Sequence, residues 1–516
     1  MKQYNFSNLL KLLDTDESKI FHTPEIVCKG DDFAIEGITY DSRKVEKNFV
    51  FFAIVGYKDD GSSYIADAIN KGALAVISDS DKSIIYKEIC AKNNVWLIIL
   101  KNIRKFLAVV SGDYFGFPSK KLKMLGVTGT NGKTTISYLI KHMFDYLNIN
   151  CGLIGTVDYI TGKEKKVASL TTPDSVDIQS MLSEMVESGC KYCVMEVSSI
   201  ALILDRVYGI NYSAGVFSNL TSEHLDLHIN MDNYFEAKKI LFDNLGSDSV
   251  AVSNLDDEYG ERILSSTKAR KIYYKLDNDS GEKYKGIPLY VARNVKYSIE
   301  GLEFDLIYYN NRYKITSKLT GRFNIYNILA ALSCVSELGF PLGDLIDSIK
   351  SFTPVNGRFN PIKLYNGAYA IIDYSHTSDS LKNAILAAKE ILKMSNLNSR
   401  VITIFGCGGN KDRTKRPVMG KFAAEYSDYC IVTSDNPRYE DPYDIIKEIL
   451  VGMKDKSNYE VEENREKAIK RGIEISKEND LILICGKGHE NYQEIKGVRY
   501  HFDDREIVEK YNSMLQ

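Results

Sequence analysis

Apolar residues in this chain follow two alternating rhythms. Short unbroken runs read as strands buried on both faces: Ala73–Ser78, Met124–Thr128, Cys193–Val197 and Ala214–Phe217. Between such runs, apolar residues recur at i, i+3 and i+4. Ile136, Leu139, Ile140, Met143 and Leu147 share one face in this way and predict a helix. Strands alternating with helices predict an α/β protein with mostly parallel sheets.

Breaks in the pattern divide the chain. Phe115-Gly116-Phe117-Pro118 reads as a helix stop and linker. The helical stretch Ile325–Leu338 runs into Gly339, with Pro341 just beyond, which marks a helix exit. The polar, alternating stretch Lys271–Ser317 predicts antiparallel strands forming a side sheet. A last segment, from near Phe352, carries the strand candidates Ala368–Asp373, Arg400–Phe405, Tyr429–Thr433 and Leu481–Cys485. Each runs into a turn rich in Gly, Asp, Asn or His, at the strand ends where open α/β sheets bind ligands. The expected domains are 1–118, 119–351 and 352–516.

The 516-residue length agrees with three domains, at roughly 100–200 residues each. A net charge of −3 offers no basic field for nucleic acid. No run approaches the roughly 18–20 apolar residues that span a bilayer. The opening residues lack a signal-peptide core, since Lys11 and Asp14 interrupt it. Nine scattered cysteines suit reduced thiols in a cytoplasm. Cys190 and Cys193 form one C-x-x-C with no second pair at zinc spacing, so they read as buried thiols beside a strand. Oligomeric state is open, with a monomer as the default expectation.

The chemistry begins at Gly126, in the run GVTGTNGKTT between a predicted strand and helix. This is the context of a phosphate loop. Backbone N–H groups of Gly129, Thr130, Asn131 and Gly132 can face phosphates. The helix N-terminus adds positive charge, Lys133 can reach the terminal phosphates, and Thr134, followed by Thr135, can ligate Mg²⁺. The usual first glycine is displaced by one residue, with Val127 in its place. The bland alternative is a chance glycine-rich turn, and the complete GTNGKTT argues against it. Such a loop by itself says only that a nucleotide binds.

Further motifs carry a specific resemblance. They are Met195-Glu196-Val197-Ser198-Ser199, Phe217-Ser218-Asn219-Leu220, Glu223-His224-Leu225-Asp226-Leu227-His228 and YFEAKKILF over Tyr234–Phe242. Gly321-Arg322-Phe323-Asn324-Ile325-Tyr326-Asn327, Asn356-Gly357-Arg358 and Asp373-Tyr374-Ser375-His376-Thr377 follow. In this order and spread over nearly the whole chain, they resemble the Mur ligases, ATP-dependent enzymes that form amide bonds on the peptidoglycan precursor. The resemblance implies a small α/β UDP-binding domain, a central P-loop parallel-sheet ATPase domain and a C-terminal Rossmann-like α/β domain.

It also implies roles. Thr134, Glu196, His224 and an N-carbamylated Lys238 would hold Mg²⁺. Lys133, His224 and Lys238 would be catalytic. Asn324 and Asn327 would lie near adenine. Arg358 and Asp373 would close over the phosphates and ribose, so that domain closure gates the reaction. The implied chemistry makes an acyl phosphate from ATP and a substrate carboxylate, which an amine then attacks. Taken singly, a helix lysine, a strand-end glutamate and a loop histidine are more often plain surface or structural residues. Only the joint pattern reverses that.

Tyr40-Asp41-Ser42-Arg43 resembles the UDP-binding domain of the branch that adds the third peptide residue, with Ser42 on the uridine diphosphate. Thr171, Thr172, Ser198 and Arg206 match contacts to the muramoyl peptide. Asp435-Asn436-Pro437-Arg438, Lys411 and Gly486 to Glu490 match the amino-acid pocket. The D-N-P-R form implies meso-diaminopimelate as the amino acid, joined to UDP-N-acetylmuramoyl-L-alanyl-D-glutamate. L-Lysine and meso-lanthionine remain alternatives, as do a folylpolyglutamate synthase and a non-catalytic nucleotide-binding relative. Departures from the family pattern are Ile200 for His, Leu204 for Gln, Lys411 for Arg, and Ser375 and Ser378 for Ala and Pro. Lys411 keeps a charge but loses the planar fork that grips a carboxylate with two hydrogen bonds.

Overall fold

The computed structural model describes residues 3–13, 24–56, 59–221, 225–276, 284, 286–395 and 398–514. They fall into two compact units, 1–126 with 149–213, and 127–148 with 214–516.

In the first unit a sheet runs in the order Glu25–Cys28, Trp96–Ile99, Ala73–Ser78, Phe49–Ala53, Gly37–Thr39. Only Glu25–Cys28 is antiparallel to its neighbour. Successive side chains point to opposite faces, and both faces are covered. Val50, Phe52, Ala75 and Ile77 meet Phe6, Leu9, Phe106 and Val110 on one side. Phe51, Ala53, Val76 and Leu97 meet Ile65, Ala68, Ile69 and Cys90 on the other. This double burial is why Ala73–Ser78 reads as an unbroken apolar run. The helix Ile103–Tyr114 ends just before Phe115, as the linker signal predicts.

The same unit holds Tyr192–Glu196 paired in parallel with Cys151–Ile154, and the helix Ser175–Glu187. Cys190 and Cys193 are buried free thiols beside this strand.

In the second unit, helix Lys133–Tyr146 buries Ile136, Leu139, Ile140 and Met143 and packs on helix Arg322–Glu337. A sheet runs Tyr212–Phe217, Val250–Asn254, Arg270–Leu276, Leu289–Ser298, Gly301–Tyr308, Asn311–Ser317. Here the expectation of a separate side sheet over Lys271–Ser317 is corrected. Arg270–Leu276 pairs in parallel with Val250–Asn254 and with Leu289–Ser298, so the segment continues the same sheet. Only the pairings among the last three strands are antiparallel. Alternation marks one solvated face, and it does not report which neighbour a strand pairs with.

The C-terminal sheet of this unit runs Asn360–Lys363, Tyr369–Asp373, Leu481–Cys485, Val401–Phe405, Tyr429–Val432, Tyr459–Val461. All four strands expected there exist, in parallel. Ile372, Ile404, Ile431, Ile482 and Ile484 pack under Ala468, Ile469, Ile473 and Val508. The turns after Asp373, Phe405, Val432 and Cys485 therefore emerge along one edge, as parallel pairing requires.

Candidate active site

The phosphate loop joins strand Lys123–Thr128 to helix Lys133–Tyr146. Gly132 has φ +88°, and a Cβ there would lie 2.4 Å from Asn327 Oδ1. Glycine is required at this position on both counts. The Ser218-Asn219 segment clamps the loop. Ser218 Oγ and Asn219 Nδ2 donate to the Asn131 carbonyl at 2.6 and 3.1 Å, and Asn131 N donates to Asn219 Oδ1 at 3.0 Å. Thr130 N donates to the Asn219 carbonyl at 2.8 Å.

Lys133 Nζ turns back over the loop and donates to the carbonyls of Gly129 and Thr130 at 2.9 and 2.8 Å. Thr134 and Thr135 are buried in the first helical turn. Lys238, on helix Met231–Asp243, is buried and donates to the Gly129 carbonyl at 2.9 Å, its ammonium 4.4 Å from the centre of the Tyr234 ring. Asn324 and Asn327 lie on the first turns of helix Arg322–Glu337. Asn324 Nδ2 donates to the Thr320 carbonyl at 2.7 Å and Asn327 Nδ2 to Asn324 Oδ1 at 2.8 Å, so the pair braces Gly132 from behind. His224 lies outside the described residues.

In the first unit, Glu196 ends strand Tyr192–Glu196 and is fully buried. Its carboxylate accepts from Thr156 N at 2.9 Å and Thr156 Oγ1 at 2.8 Å. The Glu196 carbonyl accepts from Thr172 Oγ1 at 2.7 Å, and Ser198 N donates to that hydroxyl at 3.0 Å. Arg206 Nη1 donates to the Thr172 carbonyl at 3.0 Å, and Nε lies 3.3 Å from Asp174. Thr156 Oγ1 lies 3.1 Å from Thr171 Oγ1. Thr171, Thr172, Ser198 and Arg206 thus form one network. Thr156 and Asp174 belong to it as well. Thr156 carried no motif, whereas Asp174 follows Thr171 and Thr172 closely in the sequence.

Ser42 opens a short 3₁₀ turn capped by Asp41, and its carbonyl accepts from Lys71 Nζ at 3.0 Å. The flanking Tyr40 hydroxyl donates to Asp177 at 3.0 Å, tying this motif to helix Ser175–Glu187.

At the C-terminal sheet edge, Asp373 Oδ2 accepts from Phe359 N at 2.8 Å and Oδ1 from Ser375 N at 2.9 Å. The Ser375 hydroxyl, where the family has alanine, also donates to Oδ1. Burial pushes the Asp373 carboxyl up, while Ser375 and the Arg358 charge oppose it. Arg358 lies over the Tyr374 ring at 4.9 Å, and its buried Nε has no hydrogen-bond partner among the described residues. A buried donor left open in this way fits an anionic ligand. Gly357 meets Gly488 so closely that a Cβ would lie 2.2 Å from the Gly488 carbonyl carbon. The N-G-R turn and the G-K-G-H-E turn are therefore one piece.

The residues expected to form the amino-acid pocket follow on that edge. Asp435 Oδ1 accepts from Asn436 N at 2.6 Å, and Asn436 Nδ2 donates to Glu490 at 2.8 Å. Burial first, then the Asp435 charge, push the Glu490 carboxyl up, while Lys487 pulls it down. Arg438, at φ +52°, donates from Nη1 to the Gly409 carbonyl at 2.8 Å, and its Nε lies 3.7 Å from Glu494. Pro437 carries the chain between Asn436 and Arg438, and its carbonyl accepts from Glu440 N at 3.0 Å. A Cβ placed on Gly408 would lie 2.9 Å from Arg438 Nη1 and 3.9 Å from Lys411 Cγ, so both cations border one spot. Gly486 sits with its Cα against Asp435, whose Oδ2 would be 2.5 Å from a Cβ. Lys487 and Glu494 lie next to these residues. Lys487 was visible inside G-K-G-H-E, but Glu494 lies on the hairpin Tyr492–Ile495 with Val498–His501, which no motif announced.

Three family descriptions match the chain in order. "Mur ligase family, catalytic domain" covers residues 34–111, "Mur ligase middle domain" 127–335, and "Mur ligase, glutamate ligase domain" 357–488. The chain is 41% identical over 479 residues to the UDP-N-acetylmuramoyl-L-alanyl-D-glutamate--2,6-diaminopimelate ligase of Clostridium botulinum (strain ATCC 19397 / Type A), covering 92% of this chain and 95% of that protein. Identity to the ligase of the same name from Clostridium tetani (strain Massachusetts / E88) is 41% over 481 residues, covering 92% and 94%. A solved structure of a UDP-N-acetylmuramoyl-L-alanyl-D-glutamate--2,6-diaminopimelate ligase superposes with a TM-score of 0.63 at 31% identity, over 93% of this chain and 95% of that one.

Proposed function

The chain belongs to the Mur ligase family, and from that premise we propose that it joins meso-diaminopimelate to UDP-N-acetylmuramoyl-L-alanyl-D-glutamate at the expense of ATP. The observation that carries the choice of amino acid is a guanidinium, Arg438, and a carboxylate, Glu490, held on neighbouring turns. A diamino diacid presents an ammonium and a carboxylate at its far end, and these two groups complement it.

The reaction has two steps. A substrate carboxylate oxygen attacks the γ-phosphorus of ATP, the bond to the β,γ-bridging oxygen breaks, and ADP leaves. The amine of diaminopimelate then attacks the acyl phosphate. A tetrahedral intermediate forms, the amine loses a proton, and phosphate departs with the C–O bond. Lys133 is assigned to follow the charge on the transferring phosphoryl group, and the helix N-terminus behind Gly132 adds to it. Arg358, with its open Nε, fits the same polyanion. Asp373, Asn324 and Asn327 are assigned to the nucleoside end, and Ser42, Thr171, Thr172, Ser198 and Arg206 to the UDP-substrate.

Mg²⁺ offsets the repulsion between two polyanions when bound. The residues that would hold it are Thr134, Glu196, His224 and a carbamate on Lys238. The oxygens of Thr134 and Glu196 suit a hard cation. An ammonium at Lys238 does not, whereas its carbamate, formed from the amine and carbon dioxide with loss of a proton, does. The domain limits 1–118, 119–351 and 352–516 serve as working boundaries. Among the described residues no helix is long and apolar enough to cross a membrane. We place the protein in the cytoplasm, where ATP and the free nucleotide-linked substrate meet, and take it as a monomer.

The test is phosphate release from ATP with the UDP-dipeptide and a panel of amino acids. Release should require both partners and favour meso-diaminopimelate. A preference for L-lysine would overturn the assignment, and equal use of meso-lanthionine would widen it.

A further inference from the structure

The reaction above leaves several buried charges unused, Lys487 among them. Lys487, in the G-K-G-H-E turn, is fully buried. Its ammonium donates to Asn436 Oδ1 at 3.2 Å and to the Tyr492 carbonyl, and lies 3.6 Å from Glu490. An ammonium withdrawn from water is disfavoured unless its donors are met, so these acceptors hold it and it holds them.

Each acceptor leads to the amino-acid pocket. Asn436 presents its other end to Glu490, and its Oδ1 also accepts from Glu494 N at 2.9 Å. Tyr492 and Glu494 lie on the hairpin strand Tyr492–Ile495. The Glu494 carbonyl accepts from Arg438 N at 2.9 Å, and its carboxylate lies 3.7 Å from the Arg438 guanidinium. One ammonium therefore joins the D-N-P-R turn, Glu490 and the hairpin whose Glu494 bonds to Arg438. It is also the positive charge beside Glu490 that opposes burial and Asp435, both of which favour the neutral acid.

We propose that Lys487 is a positioning residue for the second substrate, fixing the orientation of Asn436 and the placement of Glu490 without touching the diamino acid. The inference rests on the diaminopimelate reading, and the experiment separates the two. Wild-type protein is assayed first. If it does not use diaminopimelate, the functional reading fails, whatever Lys487 does.

Lys487→Met and Lys487→Gln are then compared in the full chain. The first step is read alone by trapping the acyl phosphate with hydroxylamine, with ATP and UDP-dipeptide but no amino acid. Trapping should stay within about twofold of wild type, while the KM for diaminopimelate rises roughly 10–100-fold in Lys487→Met, the range of a charge-assisted hydrogen bond. The kcat at saturating diaminopimelate should hold within about threefold. Lys487→Gln keeps a donor for Asn436 and should fall between. An unchanged KM for diaminopimelate in soluble Lys487→Met overturns the proposal. So does a parallel loss of trapping, or insolubility of both variants, either of which makes the lysine a structural one.

Discussion

Lys133 and Lys238 donate to the same oxygen, the carbonyl of Gly129, each at 2.9 Å. They come from the loop's own helix and from helix Met231–Asp243, more than a hundred residues apart in sequence. Two ammonium groups around one neutral acceptor repel each other, and the arrangement relaxes when an anion enters or when one amine loses its charge. ATP supplies the anion, and carbamylation of Lys238 would convert one cation into an anion. The two lysines therefore have separable roles.

Lys133 should stabilise charge on the transferring phosphate. Lys133→Ala is expected to lower kcat by on the order of 10²–10³, the usual loss of a preorganised electrostatic donor. Steady-state phosphate release checks this, and turnover near that of wild type would remove Lys133 from the mechanism.

Lys238 should act as a carbamate. Lys238→Ala is expected to be nearly inactive and to regain part of its rate with added short-chain carboxylic acids, which restore an oxygen ligand. A crystal with Mg²⁺ and substrates decides the matter, since an unmodified amine at Nζ there is incompatible with the idea.

Arg438 should select the amino acid. Sites built around a polar partner reject analogues lacking it by roughly 10⁴-fold. Wild type should therefore strongly favour meso-diaminopimelate over L-lysine. Arg438→Ala should raise the KM for diaminopimelate and narrow that lead. An unchanged preference in the variant assigns selection to other residues, with Lys411 the nearest alternative.

The loop that carries Lys411 has its own pH limit. Arg416 is fully buried and bonds to Glu440 and Glu448, while Nη2 donates to the Gly408 carbonyl at 3.3 Å. The hydrogen bonds from Arg416 are the largest cause holding the Glu440 carboxyl down, at about 2 against an ordinary 4.5. A depressed carboxyl contributes stability above its unfolded value and loses it as pH falls through the folded one. Melting temperature should therefore decline between about pH 4.5 and 2. Glu440→Gln should melt lower at neutral pH and lose part of that acid slope. Parallel melting curves for the two proteins across this range would show that the pair carries no pH-dependent stability.

Much of this protein is local, and what is local was legible. GTNGKTT needs only a strand, a turn and a helix start within a few residues, and the strand Lys123–Thr128 and helix Lys133–Tyr146 stand where periodicity put them. The four C-terminal strands were legible for the same reason. Burial on both faces leaves an unbroken apolar run, and the ligand-facing turn follows it directly.

Pairing is not local. Nothing in Arg270–Leu276 states that it lies parallel to Val250–Asn254, because partner and direction depend on where the rest of the sheet has gone. The same holds for side chains that work through distant contacts. Thr156 joins Glu196 across forty positions, and Glu494 reaches Arg438 from a hairpin without a motif. Lys487 shows the divide within one residue. Its place in G-K-G-H-E follows from sequence, but a lysine is usually solvated, and only the packing of three turns shows that this one is buried and fully engaged. Backbone preference and periodicity act over a few residues and are written in order along the chain. Charge, burial and pairing are decided by neighbours that only folding brings together.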